Sequence, residues 1–250
     1  METLAQVKAD LRELRLKSFI DNLEQRNMEA IKSKMSYVDF LLALCQDEII
    51  SRKFKKKERN IKKANLGRYI HILEFDFDFN PGINRKQIMD LATCEFVKRS
   101  ENIILVGPAG VGKTCIAKAI GIEACNKGYN VLFTRTAKML EYIYSGKADA
   151  TYQNKLDSFI KPDLLILDDW GMTAFNDIML NILNEVISER YENGSIIITS
   201  NRPFAKWAEL FNEPVVSSAL LDRLFHNAHK IKIQGKSYRQ DKTTNESQSS

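Results

Sequence analysis

The sequence predicts an α/β protein with a parallel five-stranded sheet, preceded by a small all-helical N-terminal domain. Two observations predict this class. Residues 1–68 carry apolar residues at helical spacing and contain neither proline nor glycine before Gly67. Beyond Gly67, short apolar runs alternate with helical patterns, at residues 102–106, 130–134, 163–168, 195–199 and 230–233. Alternation of strands with helices indicates a parallel sheet covered by helices on both faces.

The N-terminal region is predicted to form two or three helices joined by short turns. Ser36 followed by Asp39 resembles a capping box, so a helix is expected to start there and to continue beyond residue 50. A further helix is predicted over residues 84–99. The expected organisation is a helical domain at residues 1–68, an α/β domain at 69–240 and a polar, flexible tail at 241–250.

Composition excludes several classes of protein. With 250 residues and 44% hydrophobic positions, the chain can bury a core and is not globally disordered. No apolar run approaches the roughly 18 residues that a membrane span needs. The four cysteines form no CxxC pair, so we expect reduced thiols and no zinc site. A cytoplasmic protein without a membrane partner is the expectation.

Basic residues are concentrated in residues 52–68, where Glu58 is the one acid. The net charge is only +5, so this local concentration says more than the total. A one-sided block indicates a polyanionic partner such as nucleic acid, although a solvated helix face is the alternative. The candidate DNA-binding residues are Arg52, Lys53, Lys55, Lys56, Lys57, Arg59, Lys62 and Lys63.

The strongest motif satisfies GxxxxGK[ST], lies between a predicted strand and a predicted helix, and consists of Gly107, Pro108, Ala109, Gly110, Val111, Gly112, Lys113 and Thr114. Glycines in such a loop allow backbone N–H groups to surround phosphates, and the helix N-terminus adds positive charge. Lys113 is expected to reach the outer phosphates of a nucleoside triphosphate, and Thr114 to hold Mg²⁺. The glycine spacing does not fit a dinucleotide-binding loop.

A run of aliphatic residues ends in Asp168 and Asp169, about 55 residues after the phosphate loop. Parallel sheets bind ligands at the carboxyl ends of their strands. Asp168 is therefore the candidate Mg²⁺ ligand, and Asp169 the candidate to polarise the attacking water.

The predicted strand at 195–199 also ends in small polar residues. If it lies between the phosphate-loop strand and the Asp168 strand, Asn201 or Thr199 could contact the γ-phosphate or its water. The alternative for Asn201 is a cap on the next element. Trp170, Phe204 and Trp207 are interpreted as packing residues rather than DNA-stacking residues, and His226 and His229 as core or surface residues rather than a metal pair.

These motifs together resemble the IstB/DnaC-like AAA+ ATPases, and within that family the IstB transposition helpers. The resemblance covers roughly residues 1–240 and includes the segment 58–80, with its Phe75–Asp76 pair, and the ending from Gly235 to Arg239. It implies an AAA+ P-loop NTPase fold, ATP and Mg²⁺ as ligands, and slow, DNA-stimulated hydrolysis of ATP.

By the same resemblance, Gly107 to Thr114 is the Walker A loop, Asp168 and Asp169 form Walker B, and Asn201 is the sensor-1 residue. Arg223 stands where the family places an arginine finger that reaches the neighbouring subunit, although by sequence alone it could be a solvated helix residue. Arg239 could be a phosphate sensor, or a packing or DNA contact.

The resemblance further implies a ring-like or spiral homo-oligomer that assembles on duplex DNA, recruits a cognate transposase and associates with the bacterial nucleoid. A replicative helicase loader shares the nucleotide motifs and remains the alternative. A small-molecule kinase is disfavoured because residues 135–160 contain a single arginine, Arg135, where a lid would need several.

Two residues depart from the family pattern. Asp169 stands where many AAA+ proteins have a longer glutamate, which predicts a less closely held water and slow hydrolysis. Cys115 replaces a common histidine and is expected to pack in the first turn of the helix.

Overall fold

The computed structural model describes residues 2–238 and divides into two compact units, between Arg59 and Asn60. The division falls earlier than the predicted domain boundary at residue 68. The roles assigned to the two domains stay predictions. Arg239 and the predicted tail at 241–250 lie outside the described residues.

The first unit is helical and is built from α1 (Glu2–Glu13), α2 (Lys17–Ser33) and most of α3 (Tyr37–Lys63). Ser36 caps α3, since its Oγ accepts a hydrogen bond from Asp39 N at 3.1 Å. An ion pair between Arg26 and Asp47, at 2.7 Å, joins α2 to α3. The helical prediction for this region is therefore confirmed.

The second unit contains a five-stranded sheet in the order β2-β3-β4-β1-β5. All strand pairs are parallel. The strands are β1 (Asn102–Val106), β2 (Val131–Arg135), β3 (Leu164–Asp168), β4 (Ser195–Ser200) and β5 (Ala228–Lys232). The order places β4 between β1 and β3, which meets the condition set for a functional Asn201 or Thr199.

Helices cover both faces of this sheet. The helices are α4 (Arg85–Ala92), α5 (Glu95–Lys98), α6 (Lys113–Asn126), α7 (Thr136–Ser145), α8 (Tyr152–Ile160), α9 (Asp177–Arg190) and α10 (Pro214–Phe225). On one face, side chains of alternate strand residues such as Ile103 and Ile166 pack against α4 and α6. On the other face, residues such as Ile104 and Leu165 pack against α7 to α10. The predicted three-layer α/β class is confirmed.

The predicted helix at residues 84–99 is wrong in one respect, because the structure has two helices there. Cys94 adopts a left-handed conformation with φ of 60°, which ends one helix and precedes the next. Its side chain is buried, and burial raises the pKa of its thiol to about 12. The spacing of the apolar residues does not predict this left-handed conformation of Cys94, so it does not predict the break between the two helices.

None of the helices in residues 2–238 combines the length and apolar character required to cross a bilayer.

Candidate nucleotide-binding site

The phosphate loop connects the carboxyl end of β1 to the first turn of α6. Its glycines are sterically required. A Cβ on Gly107 would lie 2.2 Å from Ile233 O, and one on Gly110 would lie 2.0 Å from Ser237 Oγ. Gly112 has φ of 102°, a conformation that side chains disfavour. The loop therefore passes close to the backbone at Ile233 and to the side chain of Ser237, and its path and backbone angles favour glycine at these three positions.

Lys113 is buried, with 6% of its surface exposed, and its ammonium group lies inside the loop. Nζ donates hydrogen bonds to Gly107 O at 2.7 Å and Pro108 O at 2.6 Å. It also donates to Asn201 Oδ1 at 2.7 Å. The structure thus brings together two predicted site residues from β1–α6 and from the end of β4.

The alternative reading of Asn201 as a helix cap is not what the structure shows. The next element is a 3₁₀ turn at Phe204–Lys206, whose cap position is Pro203 and has no side-chain cap bond. The side-chain oxygen Oδ1 of Asn201 instead accepts a hydrogen bond from Lys113 Nζ.

Asp168 ends β3 and is also buried. Its Oδ1 accepts hydrogen bonds from Thr114 Oγ1 at 2.7 Å and from Thr199 Oγ1 at 2.5 Å. Thr136 Oγ1 donates to the Asp168 backbone carbonyl at 3.1 Å, which fixes the end of the strand. The carboxylate is therefore directed at the hydroxyl group predicted to share a metal ion with it.

Asp169 adopts a left-handed conformation with φ of 59°, which is strained for a residue with a side chain. Its backbone N donates to Thr199 Oγ1 at 3.2 Å. Its Oδ2 lies 3.6 Å from Nε of Arg135, the last residue of β2. Thr199 consequently contacts both aspartates, one through its hydrogen and one through its oxygen.

A cavity of about 550 Å³ adjoins the phosphate loop and is lined by Lys113, Thr114, Asp169 and Asn201. Sequence reasoning did not assign a role to most of the rest of its wall, which is largely aromatic, apolar and basic and also contains the acids Glu74 and Asp76. That wall includes Arg68, Tyr69, Ile70, Phe75, Lys118 and Tyr238. The available signal was the family resemblance of the segments 58–80 and 235–239, which contain most of these residues.

Cys115 also lines this cavity. Burial raises the pKa of its thiol, which agrees with the packing role expected for it.

Arg223 lies far from this cluster, in the last turn of α10. Its guanidinium donates to Asn184 Oδ1 of α9 at 3.2 Å. It lines a separate cavity of about 260 Å³ together with Asn102, which begins β1, and Asn227, which precedes β5. Arg223 therefore occupies the amino edge of the sheet, opposite the edge that carries Lys113.

The aromatic residues behave as predicted. Trp170 and Trp207 are fully buried, their ring centroids 5.4 Å apart, and Phe204 packs against the same cluster.

His226 and His229 contact different residues. His226 Nδ1 is 3.3 Å from the Tyr191 hydroxyl, and His229 Nε2 is 2.8 Å from Glu101 Oε2.

The candidate DNA-binding residues lie in α3 and are largely exposed. Lys57 is half-buried, and Arg52 pairs with Glu48 at 2.7 Å. The candidates up to Arg59 belong to the first unit, whereas Lys62 and Lys63 belong to the second.

The sheet order, the loop from β1 to α6 and the acidic end of β3 define an AAA+ nucleotide-binding protein. The sequence matches the model of the IstB-like ATP binding protein family over residues 9–247, and the chain belongs to that family.

Named relatives agree with this assignment. A Pseudomonas aeruginosa protein, named for ATP binding and for insertion sequence IS21, is 36% identical over 92% of this chain and 86% of its own. A Mycobacterium tuberculosis protein, named for ATP binding in an insertion sequence, is 36% identical over 92% of each chain.

Solved structures support the fold. The DnaI structure is similar with a TM-score of 0.58 and 25% identity, over 70% of this chain and 93% of that one. The DnaC helicase loader has a TM-score of 0.55 and 22% identity, over 69% and 98% of the two chains. DnaA from Aquifex aeolicus, bound to AMPPCP, has a TM-score of 0.57 and 20% identity, over 73% and 56%.

Proposed function

We propose that this protein is a DNA-dependent ATPase that assembles on duplex target DNA and recruits a transposase for insertion-sequence transposition. Hydrolysis of ATP would reset the assembly. The observation that carries the proposal is the joining of four predicted site residues at one edge of the sheet. Lys113 contacts Asn201, and Thr114 contacts Asp168, through direct hydrogen bonds.

The donors present fit a magnesium nucleotide. Lys113 supplies a buried positive charge inside a glycine loop at a helix N-terminus, which suits phosphate oxygens. The Thr114 hydroxyl and the Asp168 carboxylate are hard oxygen donors of the kind that Mg²⁺ binds together with substrate phosphates. Bound Mg²⁺ would neutralise charge on the phosphates. The aromatic and apolar wall near Phe75 and Tyr238 suits a nucleoside.

Asp169 is the proposed residue for orienting the attacking water, with Asn201 beside the terminal phosphate. Thr199 Oγ1 supports Asp169 because it accepts a hydrogen bond from Asp169 N. The Asp169 carboxylate is one methylene shorter than a glutamate. Its Oδ2 also lies 3.6 Å from the Arg135 guanidinium, which competes with a water for this oxygen. Both features favour a slow reaction and a long-lived ATP state.

Arg223 is proposed to act on the nucleotide of a neighbouring subunit. Its position at the amino edge, where it lines a cavity with Asn102 and Asn227, separates it from the Lys113 site of its own chain. An arginine that stabilises phosphoryl transfer must reach the phosphate. The proposal therefore requires an oligomer, in which the amino edge of one copy meets the carboxyl edge of the next.

Duplex DNA is the proposed polyanion for the basic residues of α3. Their exposure leaves the ammonium and guanidinium groups open to phosphates, and no base-reading motif accompanies them. Replacing Lys55, Lys56 and Lys57 together by alanine should weaken binding to all duplex sequences. Fluorescence anisotropy titrations at several salt concentrations should show that the triple replacement lowers the magnitude of the slope of log affinity against log salt by about 2 to 3. Unchanged affinity at low salt would reject this surface.

The transposase is the proposed protein partner because the relatives are named for insertion sequences. The first unit also exposes apolar side chains that a partner could cover, including Val38 at 74% and Phe54 at 58% exposure. A helicase loader remains the second candidate, favoured by the similarity to DnaI and DnaC. Parallel pull-downs with the transposase and with a replicative helicase would separate the two.

Light scattering tests the proposed function, with and without duplex DNA, in ATP·Mg²⁺ or ADP. We expect a large assembly only when both duplex and ATP·Mg²⁺ are present. A monomer under every condition would contradict the assembly and the arginine finger together.

A further inference from the structure

The outer side of the phosphate loop is held by two segments that are distant in sequence. Tyr238 N, in the segment after β5, donates to Gly110 O at 3.0 Å. Asn80 Nδ2, in the segment before α4, donates to Val111 O at 3.1 Å. We call Asn80 and Tyr238 the loop clamp.

The two halves of the clamp are fixed to each other. Asn80 is buried, with 1% of its surface exposed, and its Nδ2 also lies 3.3 Å from Lys236 O. The Tyr238 ring stacks on Phe79 with centroids 3.6 Å apart. The Tyr238 hydroxyl donates to Asp76 O at 2.5 Å, and burial raises its pKa to about 12, so it stays a donor at neutral pH.

The clamp determines which way two peptide groups of the loop face. In a trans peptide the carbonyl of one residue and the N–H of the next point in opposite directions, and residues 2–238 contain no cis peptide bond. Because the Gly110 and Val111 carbonyls bond to the clamp, the N–H groups of Val111 and Gly112 point away from it. At the start of the loop the arrangement is reversed, since the Gly107 and Pro108 carbonyls face Lys113 Nζ.

We infer that the loop clamp is a positioning element that presets the amides of Val111 and Gly112 as phosphate donors. The inference rests on the proposed nucleotide function and adds Asn80 and Tyr238 to it. An amide that already points at the phosphate site need not reorient when the ligand binds, so no binding free energy is lost on that step. This is the general advantage of preorganised donors. Neither residue needs to touch the nucleotide for the effect to operate.

The test is a calorimetric titration of Asn80→Ala with ATP and ADP, together with adenosine binding followed by saturation-transfer NMR. Loss of one oriented hydrogen bond should weaken ATP and ADP binding roughly three- to tenfold. Adenosine binding should not change, because it has no phosphate. Asn80→Asp, which keeps the shape and removes the donor, should weaken both phosphorylated ligands at least as much.

A matched control is Asn84→Ala, which removes the cap of α4, where Asn84 Oδ1 accepts from Gln87 N. It should lower thermal stability without changing ATP affinity. If Asn80→Ala does not fold, Tyr238→Phe keeps the ring in the cavity wall and removes the hydroxyl bond to Asp76 O that anchors the other half of the clamp, and the same outcomes apply to it. Equal weakening of adenosine, or no change for ATP, would overturn the inference.

Lys113→Ala separates this inference from the proposed function. Lost ATP binding in Lys113→Ala with normal binding in Asn80→Ala would reject the clamp and keep the nucleotide site. Normal ATP binding in both variants would reject the nucleotide site itself.

Discussion

The two edges of the sheet differ in how many of the proposed nucleotide-site residues they carry. At the carboxyl edge, Lys113, Thr114, Asp168 and Asn201 are linked by hydrogen bonds within one chain. At the amino edge, Arg223 is held by Asn184 and lines a cavity separate from the one that Lys113 and Asn201 line. Under the proposed function, nucleotide binding would belong to a single subunit, whereas efficient hydrolysis would need two.

The largest expected effect comes from removing the charge at the carboxyl edge. Lys113→Ala should lower ATP affinity roughly a hundredfold, because charge-assisted hydrogen bonds are the strong ones and this ammonium is buried. Calorimetric titration measures it. Lys98→Ala is the control, since Lys98 is exposed and forms a local ion pair with Glu95. Undiminished affinity would mean that the carboxyl edge does not bind the nucleotide.

At the amino edge, Arg223→Ala should leave ATP affinity nearly unchanged and lower steady-state hydrolysis about a hundredfold or more. A phosphate-release assay with duplex DNA present measures the second effect. Arg99→Ala is the matched control, because Arg99 lines the same cavity and is paired with Glu101. If both variants hydrolyse ATP at the normal rate, the amino edge has no part in the reaction.

A smaller effect should follow from loosening the aspartates at the carboxyl edge. Thr199→Val keeps the shape and the strand preference but removes the hydroxyl that contacts Asp168 and Asp169. Hydrolysis should fall roughly tenfold, since the part-buried N–H of Asp169 then lacks its acceptor, while ATP binding without Mg²⁺ should persist. Thr199→Ser should restore the rate. A normal rate in Thr199→Val would remove Thr199 from the account.

Patterns local in sequence predicted most of the fold and part of the site. The five strands follow from short apolar runs, and the predicted limits differ from the observed ones by at most two residues at either end. The residues of the phosphate loop are contiguous in sequence and match a defined motif, GxxxxGK[ST]. The contacts that join Lys113 to Asn201 and Thr114 to Asp168 follow from the strand order, which the sequence left conditional.

What the sequence could not predict depends on distant segments or on single backbone angles. Asn80 and Tyr238 meet at the phosphate loop from opposite ends of the second unit, and no spacing rule connects them. The break at Cys94 depends on one left-handed residue. Arg190 has no motif, yet its buried guanidinium binds backbone carbonyls such as Pro162 O and Ser195 O.

The most direct test of the central claim mixes two inactive proteins. Lys113→Ala keeps the amino edge and loses the nucleotide, whereas Arg223→Ala keeps the nucleotide and loses the finger. With duplex DNA and ATP·Mg²⁺, the mixture should release phosphate faster than the sum of the separate proteins. At some interfaces the nucleotide bound by an Arg223→Ala subunit then faces the intact Arg223 of a Lys113→Ala subunit. No gain in a mixture that assembles normally by light scattering would contradict a site shared between subunits.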